Sequence, residues 1–288
     1  MIVSERITQR WQISNKRLPF LLGVVIVLGA VVMAIFSGLI ARYGPEDADA
    51  SRILLPPSTH NWLGTDINGS DIFSRIVWGA RIDLTIALVS TLAGASVGTA
   101  IGVWSGFYFG RPGWTGWLSD AILRFMDVFQ AFPIFVLALA LVSSLGRNIY
   151  VVIYVLIALQ IPIFVRLARS AVLHTRQETY IESARCAGNS ELRLILFHVL
   201  PNSLTPTLVN GSVVAGQALL LTAGLSFVGA GVPAPTPEWG YMVAVGAPSL
   251  ITGQWWAALF PGAVIGVIVL GFALVGDGIR AYLDPTTR

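Results

Sequence analysis

Residues 180–201 read Y-I-E-S-A-R-C-A-G-N-S-E-L-R-L-I-L-F-H-V-L-P, a polar and basic segment in an otherwise very apolar chain. A helix is predicted over residues 171–187, and Gly188 follows it directly. Glycine in the position after a helix C-cap adopts a left-handed conformation without the penalty that a Cβ brings. The first half of the segment is therefore predicted to be a helix that stops at Gly188.

A second helix is predicted to start directly after this turn. Asn189 or Ser190 can cap its first amides, and Glu191 then lies in the first turn, where the helix dipole favours an acid. Pro201 is expected to end the unit before the next apolar run. The alternative is an irregular basic loop of the kind that membrane proteins carry on their cytoplasmic side.

The composition of the whole chain indicates a membrane protein. Of its 288 residues 55% are hydrophobic and 11% are charged, and the mean hydropathy is +0.74. A soluble domain is usually about 25% charged, so an ordinary soluble enzyme is excluded. The high pI of about 9.3 does not indicate nucleic-acid binding, because the basic residues lie between apolar runs.

Six membrane-spanning helices are predicted, which makes the fold an all-α polytopic membrane protein. About 20 apolar residues cross the hydrocarbon, and in lipid only a helix satisfies the backbone of such a run. The first run is too long for the core of a cleaved signal peptide and is expected to remain as an anchor. The runs span residues 18–41, 84–110, 128–146, 148–165, 194–237 and 239–276, and each of the last two holds one span and a loop.

The basic residues predict that both termini lie in the cytoplasm. With that orientation, twelve Lys and Arg residues fall in cytoplasmic segments and five fall outside, while Arg124 lies within the third span. Cytoplasmic loops carry the excess of basic residues, so the N-in, C-in arrangement is favoured. The loop of residues 166–201 then faces the cytoplasm.

Three units are predicted along the chain. Residues 1–81 hold an N-terminal tail, the first span and an external segment. That segment ends in a short amphipathic helix at the outer surface, because apolar residues recur there at helical spacing. Residues 82–277 form a five-helix core that includes the 166–201 loop, and residues 278–288 form a cytoplasmic tail. The apolar positions of the amphipathic helix are Ile72, Ile76, Val77 and Ala80.

Glycines repeat every four residues in the second span. This spacing places them on one helix face, where they let a neighbouring backbone approach closely. The neighbour can belong to this chain or to a partner subunit. We call Gly94, Gly98, Gly102, Gly106 and Gly110 the glycine stripe.

Catalytic and metal-binding motifs are absent from the sequence. Lys16 is the only lysine and precedes the first span, so the phosphate-binding motif G-x-x-x-x-G-K-[ST] cannot form. The three histidines lack the spacing of a metal site, and the single cysteine excludes an internal disulfide. No catalytic residue, metal ligand or bound cofactor is predicted.

Asp120, Arg124 and Asp127 are expected to form a compensated structural triad on one helix face.

Four motifs resemble the dipeptide/oligopeptide/nickel branch of ABC-importer permeases, and specifically its second, C-type subunit. The segment of residues 61–82 resembles an external signature of that branch, residues 233–240 an external loop, and residues 276–285 its C-terminal signature. Ser70 and Asp83 depart from the usual residues of the branch. The fourth motif is the cytoplasmic "EAA" loop, matched by Glu182, Ala184, Gly188, Leu200 and Pro201, with the small residue Ser183 in place of the first alanine.

The resemblance implies a type I importer in the bacterial inner membrane. This chain would pair with a second homologous permease, and two ABC ATPases, which bind ATP and Mg²⁺, would dock on the EAA loops. An external solute-binding protein would deliver di- or oligopeptides or related small solutes. The loop of residues 233–256 would help to meet that protein, although its tryptophans Trp239, Trp255 and Trp256 can instead form an interfacial aromatic belt.

Two other classes of function compete with this one. A stand-alone secondary transporter or channel would be expected to carry inverted repeats or buried ionisable residues, and the sequence shows little of either. A membrane-embedded enzyme would need a catalytic constellation, which the sequence lacks.

Overall fold

The computed structural model describes the backbone of residues 2–283 and the side chains of residues 17–283. Within residues 2–283 the regular structure is helical, without a β-strand. The helices are α1 (Ile2–Ile35), α2 (Ser37–Ile40), α3 (Ile72–Tyr108), α4 (Trp114–Gln130), α5 (Ile134–Leu145), α6 (Ile149–Thr175), α7 (Thr179–Cys186), α8 (Glu191–Leu194), α9 (Leu200–Ser203), α10 (Thr205–Phe227), α11 (Trp239–Gly246) and α12 (Trp256–Leu283).

The helices agree with the predicted six spans when α4 and α5 are counted as one. Five others in the described chain are long and apolar enough to cross a membrane: residues 17–35 of α1, and α3, α6, α10 and α12. The helices α4 and α5 meet at 89° across a three-residue break that ends at Pro133. Pro162, in contrast, lies inside α6, which continues through it.

The long helix α3 lies at the centre of the bundle. It packs most extensively against α6 and also contacts α1 and α10, while α12 packs against α1, α10 and α11. One large hydrophobic core joins these helices, and a smaller cluster lies at the end of the bundle that carries the 166–201 loop.

The predicted amphipathic helix at the outer surface is wrong in its placement. Residues 72–81 are helical, but they form the start of α3, so the predicted unit boundary at 81–82 lies inside one continuous helix. Its apolar side chains face the core, with Ile72 and Ala80 fully buried. Ser74 and Arg75 of this stretch, and Asp83 just beyond it, find partners inside the protein and therefore do not end the helix.

The predicted ion triad on α4 is also wrong. Asp127 pairs with Arg166 of α6 at 2.6 Å rather than with Arg124. The neighbouring helix α6 brings the guanidinium to Asp127, which spacing along one helix cannot reveal. Of the predicted tail, residues 278–283 continue α12, and residues 284–288 lie outside the described residues.

Candidate functional site

The helix predicted over residues 171–187 is two helices. The helix α6 ends at Thr175 and α7 begins at Thr179. Arg176 follows α6, and its guanidinium turns away to the end of α3. There Nη1 donates to the carbonyl oxygens of Gly106 at 3.1 Å, Phe107 at 3.3 Å and Phe109 at 2.8 Å. The chain therefore bends at the residue that binds α3.

Gly188 occupies the predicted position after the C-cap of α7. Its φ is +84°, and its N–H donates to the carbonyl oxygen of Arg185 at 3.0 Å. The N–H of Asn189 reaches the carbonyl oxygen of Ala184 at 3.4 Å, and the Asn189 side-chain amide donates to the same oxygen at 2.8 Å. These contacts form a Schellman motif, which satisfies the last carbonyls of α7 and fixes the turn.

Ser190, rather than Asn189, caps the second helix. Its hydroxyl accepts from the N–H of Arg193 at 3.4 Å. The helix then widens into a π-helical turn at Ile195–Val199 and continues as α9. The expectation that Pro201 ends the unit is wrong, because Pro201 lies in the first turn of α9, where its missing N–H costs nothing.

The α7–α8 segment docks on the bundle through buried apolar side chains. Ile181 of α7, Leu194 of α8 and Val199 of the π-helical turn are fully buried. Fully burying an isoleucine or leucine is worth about 1.5–3 kcal/mol, so these contacts hold the segment firmly. Their partners are Val103 and Phe107 of α3 together with Ala168 and Val172 of α6.

Charged contacts reinforce the docking. Glu191, in the first turn of α8, pairs with Arg111 after α3 at 2.8 Å and lies 3.7 Å from Arg185 of α7. Burial lowers the pKa of Arg176, and the cations Arg111 and Arg169 lower it further. The ordinary pKa of arginine is so high that the group stays charged and keeps its carbonyl partners.

The six predicted residues of the EAA loop differ in exposure. Glu182, Ser183, Gly188 and Pro201 are exposed, whereas Ala184 and Leu200 are half-buried against the docking cluster. The Ser183 hydroxyl donates to the Thr179 carbonyl oxygen at 2.9 Å. The Glu182 carboxylate has no hydrogen-bond or ion-pair partner among residues 17–283.

Several large apolar side chains of this loop are exposed. Phe197 is 70% exposed and Leu192 65% exposed, and Tyr180 and Leu196 are also exposed. Exposed apolar side chains next to an unpaired carboxylate are typical of a surface that another protein covers. The segment thus has one side anchored to α3 and α6 and one side open to a partner.

Four glycines of the stripe face α6 of the same chain. A Cβ at Gly98 would lie 2.7 Å from the carbonyl oxygen of Ile161, and one at Gly102 would lie 2.6 Å from that of Val165. Added Cβ atoms at Gly94 and Gly106 would lie 3.0 Å from side chains of α6. The two helices therefore lie so close together at Gly98 and Gly102 that no residue larger than glycine fits there.

Gly110 does not belong to the stripe. It follows the C-cap of α3 with a φ of +73°, and a Cβ there would meet no atom within 4 Å. Its role is to let the chain leave the helix, which four-residue spacing alone cannot distinguish from packing.

An apolar recess of about 460 Å³ lies between α5, α6 and α10. Gln160 lines the recess, and its amide donates to the Ser90 hydroxyl at 3.3 Å. Gln217 also lines the recess, and its amide is exposed without a partner among the described residues. An unpaired amide in hydrocarbon is costly, so this face is expected to border another subunit or a hydrated path rather than lipid.

The family described as "Binding-protein-dependent transport system inner membrane component" matches residues 98–288, which include the whole α7–α8 segment. The chain belongs to this family. It is a pore-forming permease subunit of an ABC importer and a multi-pass protein of the bacterial inner membrane.

Relatives of the permease align along nearly its whole length. It is 40% identical to the "Probable D,D-dipeptide transport system permease protein DdpC" of Escherichia coli K12, across 96% of this chain and 90% of that protein. It is 38% identical to the "Dipeptide transport system permease protein DppC" of Alkalihalophilus pseudofirmus, across 93% and 86%. It is 37% identical to the "Glutathione transport system permease protein GsiD" of Pectobacterium atrosepticum, across 91% and 85%.

A solved structure shares the fold of the permease. It is titled "Crystal structure of an amino acid ABC transporter with histidines" and superposes with a TM-score of 0.55 at 13% identity. The match covers 73% of this chain and 95% of the other. At that identity the likeness establishes the fold, which is that of an ABC-transporter membrane domain.

Several contacts of the permease could not be predicted from its sequence. Arg176 and Arg111 were expected only as part of the basic cytoplasmic charge, although Arg176 binds carbonyl oxygens at the end of α3 and Arg111 binds Glu191 of α8. Their partners lie far away in sequence, and no local pattern marks them. Glu191 was placed correctly in the first turn of a helix, but its pairing with Arg111 depends on the tertiary fold.

The tryptophan belt predicted for the external loop is wrong for Trp239. That side chain is fully buried, and its indole N–H donates to the carbonyl oxygen of Ile76 at 2.9 Å. Trp256 is half-buried and Trp255 is exposed. Ser70 and Asp83, the two departures from the family pattern, are both buried, and Asp83 binds the backbone of Trp239.

Proposed function

We propose that this permease pairs with a second homologous permease and transmits force from two ABC ATPases to the membrane bundle. The observation that carries the proposal is the two-sided α7–α8 segment. Its exposed side presents the unpaired Glu182 and apolar side chains to a partner, and its buried side holds α3 and α6. A partner that moves α7 would therefore move these two helices.

Rigidity of the segment supports this role. The Schellman motif at Gly188 fixes the angle between α7 and α8. Arg176, just before α7, binds the end of α3, and Glu191 of α8 pairs with Arg111, which follows α3. The glycine stripe in turn packs α3 directly on α6. ATP and Mg²⁺ would be bound by the ATPases, because Lys16 is the only lysine in the chain and a phosphate-binding loop needs one.

The substrates are proposed to be di- or oligopeptides delivered by an external solute-binding protein. The names of the relatives support this class, since they specify dipeptide and glutathione transport. The recess between α5, α6 and α10 is uncharged and includes the exposed amide of Gln217. A neutral surface with an amide suits a peptide backbone, whose own groups are amides, better than it suits a highly charged solute.

Transport by the whole assembly tests the proposal. The permease, its partner permease, the ATPases and the binding protein would be reconstituted in proteoliposomes, and uptake of a labelled dipeptide would be measured with and without ATP. We expect ATP-dependent uptake that needs the binding protein, and no uptake by this chain alone. Solute movement by the isolated chain without ATP would favour the secondary transporter. ATP-dependent uptake of a free metal chelate but not of peptides would overturn the substrate class alone.

A further inference from the structure

Two carboxyl groups are buried together at the end of the bundle opposite the α7–α8 segment. Asp83 of α3 is 2% exposed and Glu238, which precedes α11, is 0% exposed. Both bind the start of α11. Asp83 Oδ2 accepts from the N–H of Trp239 at 3.0 Å, and the two Glu238 oxygens accept from those of Gly240 at 2.9 Å and Tyr241 at 2.7 Å. Three consecutive amides thus draw the two carboxyl groups into one small volume.

The helices α10, α11 and α12 offer no cation near these acids. The sequences of α10 and α11 contain no Lys, Arg or His, and Tyr241 is their only ionisable residue. The ionisable residues of α12 are Asp277, Arg280 and Tyr282, all in its last two turns at the far end of the bundle.

The other charged groups near the pair belong to α3 and to the segment before it. Arg75, two turns before Asp83, pairs with Asp66 at 3.4 Å, and Asp71 binds the amide of Asn61 at 2.9 Å. Arg81 is exposed. The positive end of α11 offers the equivalent of only about half a charge, which cannot balance two carboxylates.

We propose that Asp83 and Glu238 form a carboxyl–carboxylate pair that shares one proton and thereby fixes α11 against α3. Two negative charges in one buried site would repel each other, whereas one proton converts that repulsion into a hydrogen bond. In support, burial raises the pKa of the Glu238 carboxyl, and its hydrogen bonds only partly oppose this effect. The proton belongs to the pair rather than to one of the two residues.

The junction that the pair fixes is tightly packed. Trp239 reaches across to Ile76 of α3, and a Cβ at Gly79 would lie 2.7 Å from the Trp239 indole nitrogen. On the other side, a Cβ at Gly240 would lie 2.4 Å from the Ala223 Cα of α10. When the proton leaves, the repulsion between the acids therefore acts on a contact that joins α3, α10 and α11.

The direction of the pH dependence follows from the extra proton of the folded state. A folded protein that binds a proton more tightly than the unfolded chain is most stable below the carboxyl pKa of the unfolded chain. It loses that stability as the pH rises and the shared proton leaves the pair. This proton site is independent of the proposed coupling role and of the substrate, because it depends on contacts within one chain.

Thermal unfolding of the full-length permease in its native complex, held in lipid nanodiscs, tests the site. Across a pH series, we expect the Tm of the wild-type protein to fall as the pH rises above the ordinary carboxyl range. Asp83→Asn should lose at least half of this fall, because the amide accepts from the Trp239 N–H and donates to Glu238 at every pH. Glu46→Gln, a change at an exposed acid of the preceding loop, is the matched control and should keep the wild-type slope. Identical slopes in Asp83→Asn and wild type would overturn the proposal.

Infrared spectroscopy detects the shared proton directly, even if a variant is too unstable to melt cleanly. The carbonyl stretch of a protonated carboxylic acid should persist in the wild-type protein at neutral pH and disappear at alkaline pH. Glu238→Gln and Asp83→Asn should each remove that band, whereas Glu46→Gln should leave it. If the wild-type spectrum at neutral pH contains no protonated-acid band that either variant removes, both acids are ionised and the pair does not hold a proton.

Discussion

The guanidinium of Arg176 donates to the carbonyl oxygen of Phe109 at 2.8 Å, across 67 residues of sequence. Arg176 lies at the bend between α6 and α7, and Phe109 caps the C-terminal end of α3. Because Gly106 and Phe107 share the same donor, one side chain satisfies three carbonyls that the end of α3 leaves unpaired. The contact joins the α7–α8 segment to the central helix of the bundle.

Replacing Arg176 with alanine should weaken this joint. Hydrogen bonds to a charged group contribute about 1.5–3 kcal/mol, and the half-buried position places the expected loss toward the lower value. We expect a lower Tm of the purified complex and a fall in peptide uptake. Arg176→Lys should restore part of both, because an ammonium can reach some of the carbonyls but lacks the planar fork of the guanidinium. Equal uptake by Arg176→Ala and wild type at equal expression would contradict the joint.

A leucine at Gly102 should separate α3 from α6. The Cβ alone would lie 2.6 Å from the Val165 carbonyl oxygen, and a backbone atom cannot move aside as a side-chain tip can. Overpacking typically costs about 1–3 kcal/mol, and here the two helices must shift as well. The expected result is a lower yield of assembled complex and a lower Tm.

Gly266 provides the matched control for Gly102. It is also inside a helix, α12, but a Cβ there would meet no atom within 4 Å. We expect Gly266→Leu to leave the Tm close to the wild-type value. Unchanged assembly and Tm in Gly102→Leu would show that the stripe does not determine the contact between α3 and α6.

Proline at Gly188 should abolish uptake while the chain still inserts in the membrane. Proline cannot adopt the φ of +84° at this position, and it removes the N–H that donates to Arg185. Gly188→Asn should retain much of the activity, because asparagine tolerates the left-handed conformation. Membrane insertion and uptake would be measured together, and normal uptake by Gly188→Pro at normal expression would refute a coupling role for the turn.

Glu182→Lys should abolish uptake without destabilising the permease. The carboxylate is exposed and has no partner among the described side chains, so its replacement should change the Tm little. Uptake should be lost, because the reversed charge would face the docked ATPase. Glu46→Lys, which reverses an exposed charge at the other end of the bundle, should leave uptake intact. A variant at position 182 that transports normally would exclude this residue from the coupling surface.

Local patterns in the sequence were sufficient to predict part of the site. Gly188 follows a helix and precedes Asn189 and Ser190, and that order alone predicts a left-handed turn and a cap. Four of the five stripe glycines were placed on a packing face by spacing alone, while Gly110 shared the spacing but ends the helix. Such predictions succeed when the cause of the structure lies within a few residues.

Contacts between distant residues could not be predicted in the same way. Asp83 and Arg81 made the start of α3 look like a separate surface helix, because charges usually bound a membrane span. Asp83 is instead tolerated inside, since its partners lie 155 and 156 residues away, at Glu238 and Trp239. The composition of the loop that contains Trp239 gave no sign that this side chain fills the core.

Affinity purification of the tagged permease from its native membranes in mild detergent identifies the subunits with which it assembles. We expect a second permease with about six spans and one or two ATPases with a G-x-x-x-x-G-K-[ST] motif to co-purify. Loss of the ATPases, but not of the second permease, from a Glu182→Lys preparation would locate the ATPase contact on α7. A folded permease that reproducibly purifies alone or as a homodimer, without any ATPase, would refute the proposed assembly with a second permease and two ATPases.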